Sequence, residues 1–331
     1  MSSITVAIAW VLGLILLITV VVWYCTAMPG DGAGRGLSAS STAPERVERL
    51  VASVQFLAGE IGPRNVDHPG SLDRAADWIS RQLEATGLDV EAFTFLTGST
   101  PCRNLQATLS GSRPECGSII LGAHYDTAFS APGANDNATG VATLLELARH
   151  FAGSGALPRT LRFVAFPNEE PPYFQTERMG SRVYARLLKD RGESVQAMLS
   201  LESLGCFRDE PGSQLYPPLI NLCYPDRGNF VAFVGRLSGR QLIRRATGAF
   251  RRTAALPSEG GALPGGLPGV GWSDHWAFWQ EGFPALMVTD TAVFRDPNYH
   301  TPGDRPEHVD FERLALVVSG LIPVIEDLAQ E

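Results

Sequence analysis

Residues 4–23 form an apolar run of twenty positions without one charged side chain. A helix of that length crosses the hydrocarbon core of a bilayer, and the pattern predicts a membrane anchor over residues 1–27. A cleaved signal segment is the alternative, with a weak cleavage pattern at Cys25-Thr26-Ala27. Against it, the apolar run is long and no basic stretch precedes it. Residues 28–42 are rich in Gly, Ser and Ala and read as a flexible linker, so the division expected is anchor 1–27, linker 28–43 and domain 44–331.

Within the domain the pattern first follows a helical period. Val47, Leu50, Val51, Val54 and Leu57 recur at spacings of three and four, predicting a helix over 44–57. A second spans 71–86 and closes at Gly87. Short apolar runs then alternate with helical stretches. Strands are predicted at 89–95, 104–109, 118–123, 160–166, 197–201 and 285–288, and helices at 140–151, 179–189, 228–237 and 311–328. Runs such as SIILGA and LRFVAF are nearly all apolar, as strands covered on both faces should be. The fold class expected is α/β, a mainly parallel twisted sheet with helices on both faces. Residues 256–271, LPSEGGALPGGLPGVG, carry too much Gly and Pro for a regular element. They read as a loop beside the active site or as a surface excursion.

Composition changes this picture little. The net charge of -8 argues against a nucleic-acid partner. No Lys or Arg precedes the apolar run and Arg35 is the first after it, so charge does not decide the anchor's orientation. Cys25 lies at the membrane edge. Cys102, Cys116, Cys206 and Cys223 allow disulfides, Cys102 with Cys116 for example, if the domain is exported; otherwise they are free thiols.

The candidate chemistry sits where strands are predicted to end, which is where open α/β sheets bind ligands. IILGAHYDT ends on His124, Tyr125 and Asp126. PGANDNATG places Asp136 just before a helix, LRFVAFPNEE delivers Glu169 and Glu170, and MLSLES delivers Glu202. DPNYHTPGD offers His300 between the last strand and the last helix. Singly, each has a plain explanation. A lone histidine is more often hydrogen-bonded in a core, Asp136 alone would cap a helix, and adjacent glutamates on a strand point to opposite faces. Asp126 shifts the balance, because metal-binding imidazoles commonly give their second N–H to a carboxylate. Glu202 follows a run that is apolar but for Ser200, and a buried carboxylate without a partner is strongly disfavoured. Three carboxylates and two imidazoles without thiolate suit zinc, with manganese or cobalt as alternatives. Five ligands exceed one tetrahedral ion; two ions sharing one carboxylate and a water use all five.

GAHYDT, GANDNATG, FPNEEPP, SLESLG, WSDHWAFW and NYHTPGD together resemble, in order, the motifs of zinc metallopeptidase family 28, which includes bacterial leucyl aminopeptidases and glutamate carboxypeptidase. The likeness runs from about Val47 to the C-terminus. It implies a zinc-exopeptidase, phosphorylase/hydrolase-like fold with two Zn2+ ions. Asp136 would bridge them, Glu170 and His300 completing one ion and His124 and Glu202 the other. Glu169 would be the general base and Asp126 the support of His124, with Ser273, Asp274 and His275 near the site as support or substrate contacts. The activity implied is metal-assisted removal of N-terminal residues from peptides by a membrane-held domain outside the cytoplasm. Carboxypeptidase and dipeptidase specificities stay open.

Two departures stand out: Glu202 where many relatives carry Asp, and Pro171-Pro172 where several continue with glycines. Asn137-Ala138-Thr139 fits a glycosylation pattern, read as coincidence inside this loop. A single-zinc glutaminyl cyclase and a catalytically silent receptor-like relative are the rival readings. The first differs in zinc count. The second would show a gap among ligands or base, and none is present.

Overall fold

A computed structural model describes residues 3–34, 43–155 and 157–330, with side chains from residue 10 onward in the first helix. That helix, α1 (Ser3–Thr26), carries no charged side chain, and Trp10, Leu16 and Trp23 on it are 77%, 65% and 63% exposed. Among the described residues, no helix is long and apolar enough to cross a membrane. The chain after α1 is docked rather than loose. Arg240 donates to the Tyr24 carbonyl at 2.7 Å and Arg244 to that of Ala27. The Gly32 carbonyl accepts from the Ser258 N–H at 2.8 Å. Residues 28–34 of the expected linker therefore lie against the domain, and residues 35–42 fall outside the described residues.

Two helices follow, α2 (Pro44–Val54), which runs on into a wide π-type turn through Ile61, and α3 (Pro69–Glu84). Leu72, Ala75, Ala76, Ile79 and Leu83 make the buried stripe of α3, the spacing of one helical face. Next come the hairpin strands β1 (Asp89–Thr97) and β2 (Thr100–Leu109), then β3 (Ser118–His124), α4 (Gly140–Ala152), β4 (Thr160–Phe166), α5 (Gly180–Asp190) and β5 (Val195–Glu202). The remainder is β6 (Val231–Arg236), α6 (Arg240–Thr253), β7 (Ser258–Leu263), α7 (His275–Gln280), β8 (Ala285–Thr289) and α8 (Phe311–Ala329).

All eight strands join one sheet in the order β1-β2-β4-β3-β5-β8-β6-β7. The centre, β4-β3-β5-β8, is parallel. Antiparallel pairs flank it on both sides, at β1/β2, β2/β4 and β8/β6, so the sheet is mixed rather than mainly parallel. Helices cover both faces. On β3, Ile119, Leu121 and Ala123 enter the larger core under α2, α3, α4, α6 and α8, while Ile120 enters the smaller one under α5 and α7. An all-apolar strand is the direct result of two buried faces.

Two further sequence expectations need correction. Residues 228–237 are not a helix: Val231, Phe233 and Val234 are aromatic or β-branched, suit a pleated surface, and lie in β6 between β8 and β7. Part of the Gly/Pro-rich stretch is strand β7, whose Gly260 and Gly261 lie against Met28 and Tyr224 too closely for side chains. Of the two cysteine readings, the structure does not take the disulfide between Cys102 and Cys116, which are not joined to each other.

Candidate metal centre

β3, β4, β5 and β8 run parallel, so their C-terminal ends open on one edge of the sheet. His124 is the last residue of β3 and Glu202 the last of β5, both buried. Glu169 and Glu170 follow β4 after a turn in which Asn168 takes a positive φ of 61°. The Asn168 amide holds that turn by donating to Thr97 Oγ1 at 2.8 Å and to the Arg178 carbonyl at 3.2 Å. Both glutamate N–H groups then donate to one carboxylate, Asp126 Oδ1 at 3.1 Å and Oδ2 at 3.0 Å. Two adjacent residues are thereby aimed into one cavity, which an extended strand would not allow.

Asp136 comes from a buried turn pinned from all sides. Asp304 accepts from the N–H groups of Asn135 and Asp136 at 2.7 and 3.0 Å. The Asn135 side chain donates to Asp290 and accepts from Gly205 N–H. Asn137 accepts from the N–H groups of Gly140 and Ser203 and donates to the Leu201 carbonyl. The two asparagines fasten the loop to β5 and its continuation, leaving Asp136 free to face the cavity. His300 arrives on the loop after β8 with its ring stacked on Tyr299, centroids 3.8 Å apart.

These side chains converge. His124 Nε2 lies 3.2 Å from Asp136 Oδ1, 3.4 Å from Glu202 Oε2 and 3.9 Å from Glu169 Oε2. His300 Nε2 lies 3.1 Å from both Asp136 Oδ2 and Glu170 Oε2. Asp126 Oδ1 stands 3.5 Å from His124 Nδ1. His124, Asp136 and Glu170 each offer a ligand atom within 4.8 Å of one another. Both ring nitrogens of His124, Asp136 Oδ1, Glu170 Oε1 and His300 Nε2 are buried without a hydrogen-bond partner. Orphaned acceptors of this kind are costly in a folded protein, and a divalent cation satisfies them. The donor set and the orphaned atoms fit zinc.

Charge in the centre is balanced by protons when no cation is bound. Burial, reinforced by Asp136, pushes the Glu170 carboxyl up to about 8. Burial likewise holds Glu169 well above the usual carboxylate range. For Asp136 burial acts upward, but His124 and His300 outweigh it and pull the group below its ordinary value. Burial opposes charge on both imidazoles as well. Even so, Glu202 and Glu169 raise His124 well above normal, and Asp136 and Glu170 raise His300 to about 10. A bound cation would take the place of these protons.

The segment 273–275 splits. Ser273 donates to Glu202 Oε2 at 2.7 Å. Asp274 is fully buried, its carboxylate oxygens without hydrogen bonds, and burial pushes it up to about 7. His275 turns away, its Nε2–H donating to the Val270 carbonyl at 2.8 Å. Sequence reasoning passed over Asp304, although it lies in the quoted NYHTPGD segment. It also passed over Arg64, which is fully buried and donates to the carbonyls of Tyr125, Pro132 and Gly133, strapping the His124 and Asp136 loops together. A single arginine after a helix carries no sequence signal of that role.

The chain is similar to known proteins in sequence and fold. The family model described as Peptidase family M28 matches residues 104–324. The Escherichia coli K12 protein YfbL is 37% identical over 288 residues, covering 84% of this chain and 87% of its own. Among solved structures, BSAP, a zinc aminopeptidase from Bacillus subtilis, superposes with a TM-score of 0.64 at 16% identity, over 84% of this chain and 94% of its own. Fimbriiglobus ruber glutaminyl cyclase gives 0.61 at 20% identity, over 91% and 99%. At those identities the two structures speak for the fold alone.

Proposed function

Because the chain belongs to peptidase family M28 and is a zinc metallo-exopeptidase, we propose that it is a two-zinc aminopeptidase held at a membrane by α1, with its catalytic domain over residues 44–331. Asp136 carries the two-ion reading: its Oδ1 faces His124 and its Oδ2 faces His300. One carboxylate oxygen toward each of two imidazoles suits a shared ligand. Asp136, Glu170 and His300 would hold one ion, and Asp136, His124 and Glu202 the other. Glu202 keeps its carboxylate within 3.4 Å of His124 despite its extra methylene, steadied by Ser203 and Ser273.

Bound zinc supplies an acidified water and polarises the scissile carbonyl. The chain's own residues handle the proton. Glu169 takes it on its carboxylate and returns it to the leaving amine. Burial raises the proton affinity of Glu169, and a general base is most effective when that affinity lies nearer the working pH. Asp126 fixes Glu169 and Glu170 through their main-chain N–H groups, so base and ligand keep one geometry. The membrane reading is supported by α1, which exposes Trp10, Leu16, Ile18 and Trp23; a helix that is apolar all round belongs in an apolar surrounding.

Metal analysis of the full chain, stripped and refilled, should return two zinc ions per chain. Glu169→Ala should keep both and lose about 10²–10⁴ in hydrolysis of aminoacyl amides. Full activity in that variant removes Glu169 as base. One zinc per chain with pyroglutamate formation from N-terminal glutamine replaces the peptidase by a cyclase, the activity named for the Fimbriiglobus structure.

A further inference from the structure

A cavity of about 820 Å³, its open mouth included, adjoins the centre beside Glu202 and Tyr299. Strand register sets its floor. Glu202 pairs with Thr289, Thr289 with Ala232, and Ala232 with Glu259. One lateral row thus crosses β5, β8, β6 and β7, and all four residues line the cavity, as side chains paired across neighbouring strands share a face. Two carboxylates stand at the ends of this row with the small side chains of Thr289 and Ala232 between them. Three strand spacings separate their backbones, about 14 Å.

The walls are apolar, formed by Leu263, Leu267, Val270, Met287 and Phe294, with the stacked rings of Tyr216 and Tyr224 toward the far end. Apart from tyrosines, Glu202 and Glu259 are the ionisable residues of the lining. Their situations differ. Glu202 is committed to the centre through Ser203, Ser273 and His124. Glu259 meets Arg251 at 3.7 Å, beyond hydrogen-bond distance. The Arg251 guanidinium donates instead to Ser258 and to the carbonyls of Pro29 and Gly30. Burial raises the Glu259 carboxyl and the charge of Arg251 offsets this only in part, so the carboxylate keeps capacity for a cation that can hydrogen-bond to it directly.

Resting on the aminopeptidase reading above, we propose that this cavity receives the side chain of the substrate's N-terminal residue and that Glu259 makes it selective for lysine or arginine. The floor is long enough. A lysine stem spans about 6 Å, and the glutamate side chain covers part of the remaining distance. The methylenes lie along the apolar walls while the cationic head reaches the carboxylate, the usual division within such side chains. Leucine or norleucine would leave Glu259 facing apolar atoms, a costly arrangement for a carboxylate.

The test uses the zinc-loaded full chain in detergent and fluorogenic amides of lysine, arginine, Nε-acetyl-lysine, norleucine and leucine. Lysine and arginine should exceed norleucine and Nε-acetyl-lysine in kcat/KM by at least about tenfold. Glu259→Gln should lower the lysine-to-norleucine ratio by a similar factor. The first comparison needs no variant, so it stands even if Glu259→Gln folds poorly. Leucine or norleucine cleaved better than lysine by the wild-type chain overturns the selectivity and leaves the aminopeptidase reading standing. An unchanged lysine-to-norleucine ratio in a folded Glu259→Gln chain overturns the role of Glu259. No cleavage of any aminoacyl amide overturns the aminopeptidase reading itself, and this proposal with it.

Discussion

Asp126 and Asp304 do for the centre what its ligands cannot do for themselves. Each accepts two adjacent main-chain N–H groups and so aims the side chains above them, Glu169 and Glu170 in one case and Asp136 in the other. His275, by contrast, neighbours the centre in sequence and serves the fold. Its neutral ring donates to Val270, and burial pushes its pKa down to about 4. The unfolded imidazole takes a proton near 6.5, so the stabilisation is complete above that pH and falls as pH drops toward 4, by about 3 kcal/mol in all. Asp290, pushed up to about 7 by burial, has the opposite sign, since its contribution is lost as pH rises through that value. The His275 share is isolated by comparing denaturant unfolding of wild type and His275→Gln at about pH 7.5 and pH 5. The wild type should lose about 2 kcal/mol more than the variant on acidification; equal losses would leave His275 without this role. The residues that converge on the centre, His124, Asp136, Glu170, Glu202 and His300, were legible in the sequence because ionisable side chains stand out where apolar runs end. Arg64 was not, because it acts through main-chain carbonyls that any residue can supply.

At the scale of elements, the site depends on how tightly α4 approaches the end of β5. Gly140 begins α4, and a Cβ there would lie 2.3 Å from both the Leu201 carbonyl and Asn137 Oδ1. Gly140→Ala should therefore push α4 away from β5 and loosen the turn that carries Asp136, at a cost of about 2 kcal/mol. Thermal unfolding should shift down by several degrees, and zinc should pass to a competing chelator more readily than from wild type. An unchanged melting temperature with unchanged zinc retention would show that the contact is absorbed without effect. The helices and central strands were readable from periodicity because their burial repeats along the chain. β6 and β7 escaped because their partners are distant in sequence. Pairing with β8 and β7 makes residues 231–236 a strand, and Gly260 of β7 is explained by Met28, more than two hundred positions away, rather than by any local pattern.

At the scale of the molecule, β7 is the outer strand of the sheet, and an exposed edge offers unpaired N–H and C=O groups to other chains. The segment after α1 lies along it. Gly32 accepts from Ser258 N–H, and Arg251 grips the carbonyls of Pro29 and Gly30. Within the segment, Gly34 has a φ of +75°, and an added Cβ there would stand 2.5 Å from the Ala255 carbonyl. Residues 28–34 thus cover a sheet edge, and the contacts of Arg240 with Tyr24 and of Arg244 with Ala27 hold the end of α1 against the domain. Gly34→Ala should lift this cover. In hydrogen exchange on the full chain, the Ser258 amide should then exchange at least about tenfold faster, a local opening rather than global unfolding. The amides of β3 and β5, buried at the centre of the sheet, should keep their wild-type rates. Equal Ser258 exchange in wild type and variant would mean that the edge is protected without the segment.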